Sequence, residues 1–422
     1  MPQLPFTVSL DLALGGPGAV SRPAYDAALK EGEAALAWLR AAARDKSLEL
    51  LSIVDETKDI EAARAVAATY CKDTSDVAVL GIGGSSLGGK ALMALSEGKG
   101  PRLAFHDNPD PESWARALAE FDLKTTRFIC ISKSGGTAET LMQALTAADV
   151  IEKAGGGKYL KHHFAIVTEP KPSALLSFAQ SIGAPVLDHP LGIGGRYSVV
   201  SMVGILPALV MGLDFAAIRA GARAARDAVL ADGGAALTGA ALHHALAREG
   251  RLRETVLWNY ADKLATLGAW WRQLWAESLG KDGKGSTPVA AVGPVDQHSQ
   301  LQLFRDGPND ALYTLLSTDT KGKGPIAPRE RAEALGLGYL AGRSMGDLVD
   351  AEARAIAQTL SRNKRPVRTM HVPKIDEFSF GALMMHFMLE TILMGRLMQV
   401  DPFDQPGVEE GKVLAREYLS QG

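Results

Sequence analysis

The run Ser132-Lys133-Ser134-Gly135-Gly136-Thr137-Ala138-Glu139-Thr140 gathers four hydroxyls, two glycines and a lysine within nine residues. It follows the apolar stretch 127–131, which predicts a buried strand, and leads into the helix-like stretch 141–145. A strand that ends this way and then opens a helix can take an anion. Free helix N–H groups and hydroxyls donate to the anion, and glycine lets the backbone approach it. Ser and Thr are also favoured helix caps. A cap needs one hydroxyl, however, and Ser132, Ser134, Thr137 and Thr140 supply four. The chemistry implied is phosphate binding.

A second glycine-rich turn, Gly81-Ile82-Gly83-Gly84-Ser85-Ser86-Leu87-Gly88-Gly89, follows the apolar run 77–80. A dinucleotide-binding turn would read G-x-G-x-x-G here, with an acid about 20 residues on. Asp107 stands near that place, so a nicotinamide-dependent oxidoreductase is a rival at this point. Yet Ser86 replaces the third glycine and lies next to Ser85. Two hydroxyls at a helix start suit one phosphate better than a pyrophosphate on bare backbone. With residues 132–140 two strands later, the turn gives two loops converging on a single phosphate.

Groups able to move protons lie further along. Glu277 sits on a predicted helix whose apolar positions 267, 270, 271, 274 and 275 form one stripe. At about 100° per residue it lies roughly a quarter turn off the stripe's centre, with Gln273 one turn before it. Gly280 ends that helix. A carboxylate on such a flank can face a cleft. Arg196 follows Gly194 and Gly195, so its permanently charged guanidinium can lie close to both backbone and substrate. The doublets His162-His163 and His243-His244 lack carboxylate or cysteine partners at ligand spacing and read as structural or surface groups. No metal site is expected.

These groups need a scaffold. A chain of 422 residues suggests two to three domain-sized units. Short apolar strands at 77–80, 103–106, 127–131 and 164–167 alternate with helical stretches. After a long helical section the pattern restarts, with strands at 255–258, 288–292, 312–316 and 365–372 and a Trp-rich helix over 263–278. Alternation of this kind predicts an α/β protein with two tandem doubly wound parallel sheets. Its expected units are an N-terminal helical extension (1–72), a first α/β domain (73–212), a second (213–375) and a C-terminal helical segment (376–422). Ligands in such sheets bind beyond the carboxyl ends of the strands.

Composition narrows the partners. Hydrophobic residues make up 46% and charged residues 22%, and the net charge of −3 gives no case for nucleic acid or an anionic membrane. Cys71 and Cys130 alone cannot form a disulfide framework or a cysteine-based metal site. Residues 1–5 lack the features of a signal peptide, so a cytoplasmic location is expected. The apolar run 199–213 contains Pro207 and is too short for a standard membrane span. It reads as a buried helix.

Residues 81–89 followed by 132–140 resemble the phosphate-binding loops of the sugar-isomerase fold, and four further motifs resemble the phosphoglucose isomerase family. They are Gly194-Gly195-Arg196-Tyr197-Ser198, the stretch 273–281 around Glu277, Gln297-His298-Ser299-Gln300-Leu301-Gln302, and the stretch 404–412 ending in Lys412. The resemblance spans residues 81 to 412 in family order. It implies reversible isomerisation of glucose 6-phosphate and fructose 6-phosphate through a cis-enediol, with no cofactor.

By that resemblance Glu277 is the base, Arg196 stabilises the enediolate, and His298 and Lys412 open the sugar ring. Gly84, Gln273 and Gln405 hold the sugar. Ser85, Ser132, Lys133, Ser134, Thr137 and Thr140 form the phosphate cradle. Two rivals remain: a broader isomerase that also takes mannose 6-phosphate, and a non-catalytic sugar-phosphate-binding regulator. The resemblance further implies a homodimer with shared sites, the histidine coming from the partner subunit. The apolar stretch 380–398 is long enough to pack in such an interface. The chain is shorter than the family's long animal and enterobacterial members, and has Gly135-Gly136 where many relatives carry a bulkier residue and a threonine.

Overall fold

The computed structural model describes residues 4–98 and 100–421. Ten strands are present among them: β1 (Thr7–Ser9), β2 (Asp76–Leu80), β3 (Arg102–His106), β4 (Thr126–Ile131), β5 (Phe164–Thr168), β6 (Val186–Asp188), β7 (Glu254–Asn259), β8 (Thr287–Val292), β9 (Ala311–Thr318) and β10 (Val367–Val372). They form two sheets of five, in the orders β3-β2-β4-β5-β6 and β1-β10-β9-β7-β8. The first sheet is wholly parallel. The second is parallel except for β1, which runs antiparallel to β10. The two doubly wound parallel sheets are those expected from the sequence.

In the first sheet, β2 is flanked by β3 on one side and β4 on the other, so successive crossovers leave in opposite directions. The crevice between β2 and β4 is therefore the switch point where ligands bind. Leu80 is level with Cys130 in the register, so the loops after both strands open together. These are the two loops singled out for phosphate.

Two assignments need correcting. Within the stretch 1–72, read as helical, Thr7–Ser9 is an edge strand of the second sheet. The helix Arg22–Asp45 packs on Gly234–Arg248 and on Glu377–Met398. The C-terminal stretch is not peripheral either. Residues 379–395 are all buried, and the helix that carries them packs against Phe215–Asp232, Gly234–Arg248, Ala265–Leu279 and Arg22–Asp45. It is long and apolar enough to cross a membrane, but 94% of its most apolar window is buried inside this protein. Its interior position replaces the expectation that it packs against a second copy. A helix that is apolar all round is explained by having protein on every side.

Backbone contact sets the closest of these packings. A Cβ on Gly221 would lie 1.8 Å from Phe378 O, and one on Gly381 would lie 1.9 Å from Ile218 O. The buried carboxylate of the Glu377–Met398 helix is paired. Glu390 accepts from Arg368 Nη1 at 2.6 Å and lies beside His386 and His243. Burial alone would raise its carboxyl pKa, but Arg368 and the two histidines hold it down to about 2. The apolar run over 199–213 forms the buried helix Met202–Val210, with Pro207 inside it. The 3₁₀ turn Gly195–Val200 that precedes it carries Arg196.

Candidate active site

Three segments meet at the mouth of the β2–β4 crevice. A Cβ on Gly84 would lie 2.2 Å from the carbonyl carbon of Gly195, so the turn after β2 and the arginine loop touch backbone to backbone. Gly83 adopts φ +59°, a conformation that favours glycine, and a Cβ there would lie 2.9 Å from Gln273 Nε2 on the Ala265–Leu279 helix. Ser85 closes the turn, half-buried. Ser86 Oγ donates to Asp107 Oδ2 at 2.6 Å, and Lys90 Nζ donates to the same oxygen at 2.9 Å. The acid that a dinucleotide site would aim at a ribose is thus spent inside the turn.

The second loop is bound up with itself. Ser132 is buried, and its Oγ accepts from Gly135 N at 3.1 Å and pairs with Thr137 Oγ1 at 2.8 Å. Ser134 Oγ accepts from Gly136 N at 3.3 Å. Gly135 has φ +64°, and a Cβ there would lie 2.1 Å from Ser173 Oγ, so no side chain fits. Gly136 faces open space, with only Ser134 Oγ, at 3.9 Å, nearby.

Thr140 Oγ1, on the first turn of the Ala138–Lys153 helix, is buried without a partner, as is Gln143 Nε2 one turn on. Lys133 lies 3.7 Å from Glu169, a buried carboxylate at the end of β5 that Lys171 also approaches. His189 follows β6, and burial pushes its imidazole down to about 4, so it is neutral at physiological pH.

Glu277 and Arg196, expected to serve the proton transfer, sit beside this loop pair. Gln273 Nε2 donates to Glu277 Oε1 at 2.8 Å. Arg196 is buried and uses all five N–H donors. Nε reaches Ser278 Oγ (2.8 Å), and Nη1 reaches Glu277 Oε2 (3.2 Å) and Gln405 Oε1 (2.7 Å). Nη2 reaches the carbonyls of Pro402 (2.6 Å) and Asp404 (2.9 Å). Tyr197 hydroxyl braces the same cluster through Ser278 and Pro402. Gln273 Oε1 is buried with no partner, an acceptor open to a ligand hydroxyl.

The structure therefore brings Arg196, Gln273, Glu277 and Gln405 into one network. It does not bring in His298 or Lys412. His298 is exposed on the short helix Val295–Ser299. Lys412 pairs with Glu409 at 2.7 Å on the fully exposed helix Glu409–Gln421. Sequence reasoning gave no role to Ser278, Tyr197 or the carbonyls of Pro402 and Asp404. The first two lie inside quoted motifs, while a carbonyl acceptor leaves no mark on residue type. Among the described residues, no group of three or more His, Cys, Asp or Glu could hold a metal ion.

Paired parallel sheets, with a hydroxyl-lined loop at the switch point of one, define the class of sugar-isomerase-type α/β proteins. The sequence profile of the phosphoglucose isomerase family matches residues 47–312 and 329–421. The chain belongs to that family. It is 38% identical over 365 residues to a glucose-6-phosphate isomerase of Rubrobacter xylanophilus, covering 84% of each chain. It is also 38% identical over 355 residues to one of Thermus thermophilus, covering 82% of this chain and 84% of that one. A hypothetical protein from Thermus thermophilus superposes with a TM-score of 0.87 at 33% identity over 98% of this chain and 99% of its own. The fold is shared with a Chlamydia trachomatis glucose-6-phosphate isomerase (TM-score 0.83, 20% identity, 99% and 88% coverage).

Proposed function

We propose that the chain interconverts D-glucose 6-phosphate and D-fructose 6-phosphate. The observation that carries this reading is the Glu277–Arg196 pair beside a hydroxyl-lined phosphate loop, in a member of the phosphoglucose isomerase family. The phosphate fits the two loops, with Ser85, Ser132, Lys133, Ser134, Thr137 and Thr140 as its cradle. The sugar carbons then lie over Glu277. After ring opening, Glu277 removes the proton from C2, and the electron pair moves through the enediolate onto the carbonyl oxygen. The hydroxyl proton of O2 passes to O1 and the same carboxyl returns its own proton to C1, so the carbonyl passes from C1 to C2 with every atom and electron accounted for.

Arg196 supplies the fixed positive charge for the enediolate oxygens, through Nη1 exchanging its hold on Glu277 for the substrate. Gln273, through its unpartnered Oε1, accepts from a sugar hydroxyl. A regulator that only bound sugar phosphates would have no use for the Glu277–Arg196 pair.

The ring-opening roles of His298 and Lys412, and a homodimer with shared sites, extend this reading. Both residues lie outside the Arg196 network. The helix Glu409–Gln421 has no buried residue and leaves Val413, Leu414, Tyr418 and Leu419 exposed. In the dimer, His298 of the partner subunit completes the site, and an interface covers that apolar surface. We place the reaction in the cytoplasm, where Cys71 and Cys130 stay reduced.

The test is an assay of purified protein with fructose 6-phosphate, glucose 6-phosphate being read through a coupled dehydrogenase. Turnover supports the assignment. Binding of fructose 6-phosphate without turnover would overturn it.

A further inference from the structure

The turn after the Ala265–Leu279 helix carries two ammonium groups that hold the chain leaving the Glu377–Met398 helix. Lys284 Nζ donates to Met398 O at 2.9 Å. Lys281 Nζ donates to Asp401 O and pairs with Asp404 Oδ1 at 2.6 Å. The Lys281 side chain is only 11% exposed, an unusual state for so strongly hydrated a group. Its partners explain it.

Asp404 then faces two ways. Its carboxylate takes Lys281, while its carbonyl takes Arg196 Nη2 at 2.9 Å. Pro402 O, two residues before it, and Gln405 Oε1, directly after it, complete the hold on the same guanidinium. Arg196 in turn reaches Glu277, and Glu277 lies four residues before Lys281 in the chain. The path Glu277, Arg196, Asp404, Lys281 and back to Glu277 is a closed ring, and the Lys281–Asp404 ion pair is the link that shuts it.

We infer that Lys281 is a positioning residue for the isomerisation. It clamps residues 401–405 onto the end of the helix that carries Glu277, and so fixes the Arg196 guanidinium relative to that carboxylate. The inference rests on the isomerase reading above. Lys281 has no bond to the phosphate cradle, which comes from the loops after β2 and β4. Loosening the clamp therefore misaligns the charge that meets the enediolate and leaves phosphate binding alone. A misplacement of about 1 Å at a reacting centre costs on the order of 100-fold in rate.

Lys281→Met keeps the volume and loses the donors, whereas Lys281→Arg keeps donors for both partners. For Lys281→Met we expect kcat with fructose 6-phosphate to fall about 10- to 100-fold. KM and the inhibition constant of inorganic phosphate should move less than about three-fold. Backbone amides of residues 401–405 should exchange faster with deuterium, and Lys281→Arg should restore most of the turnover. Wild-type turnover in Lys281→Met would overturn the inference. So would a loss of kcat with unchanged exchange in 401–405, or phosphate inhibition weakened in proportion to kcat. If Lys281→Met does not fold, Asp404→Asn removes the ion pair but keeps the main-chain carbonyls, and the same pattern should appear in weaker form. A wild type inert towards fructose 6-phosphate would sink the isomerase reading. An active wild type beside an unaffected variant would sink the clamp alone.

Discussion

The bond from Arg196 Nη1 to Glu277 Oε2, at 3.2 Å, is the longest of the five that hold this guanidinium. The four shorter ones fix the arginine to the protein frame. The longest joins it to the carboxylate, the one contact that the proposed mechanism requires to exchange. Glu277→Gln should fold with a lowered melting temperature, because buried Arg196 loses its anionic partner, and lose about 10²- to 10⁴-fold in kcat, the range for removing a general base. Near-normal turnover in a folded Glu277→Gln would remove it as the base.

Arg196→Lys is the complementary change. A lysine has three donors on one atom and cannot reach Ser278, Glu277, Gln405 and two carbonyls together. Turnover should fall at least about 100-fold. The melting temperature should drop as well, because buried carbonyls lose their donors. A calorimetric scan beside the assay checks both halves.

The two adjacent glycines of the loop 132–140 should behave differently. Gly135→Ala meets Ser173 at 2.1 Å from a backbone with φ +64°, so it should destabilise the loop by about 1–3 kcal/mol and weaken phosphate binding. Gly136→Thr enters open space and adds a hydroxyl next to Ser134. It should tighten competitive inhibition by inorganic phosphate. A weaker inhibition constant would show that the added hydroxyl points away from the anion.

Stability should fall with acid well before the carboxylates titrate. Burial holds His189 and His243 down to about 4, below the histidine value of about 6.5 in an unfolded chain. Between these values the unfolded chain binds protons that the folded one refuses, so stability rises with pH across that window and is lost as pH falls through it. Melting temperatures recorded from pH 7 to pH 4 should decline. His189→Gln should flatten the slope, and an unchanged slope would contradict the role given to that imidazole.

Arg368→Met should be among the most damaging substitutions away from the active site. It leaves Glu390 as a buried carboxylate without its strongest partner, at an expected cost of about 3–5 kcal/mol. Adding Glu390→Gln should recover part of that loss. Denaturant titration of both variants measures the difference.

The sequence was legible where a function is written locally. Residues 81–89 and 132–140 each carry glycines, hydroxyls and a strand–helix boundary within a few positions, and both loops lie where expected. The arginine–glutamate network could not be read that way, since Arg196 is 81 residues from Glu277 and 209 from Gln405. There the family resemblance brought the residues together, although it could not foresee the carbonyl acceptors. Strands β1 and β6, three residues each, are too short to show alternation. The helix Glu377–Met398 misled because an interface helix and an interior helix look equally apolar.

The position of that helix bears on how the protein is made. β1, near the start of the chain, pairs with β10, and the helix after β10 fills the interior between segments drawn from residues 22 to 279. A ribosome must therefore release almost the entire polypeptide before its largest apolar cluster can close. Until then the surfaces meant for Glu377–Met398 stay open to water and to other nascent chains. Messages truncated even slightly upstream of this helix would yield protein that is insoluble rather than merely inactive.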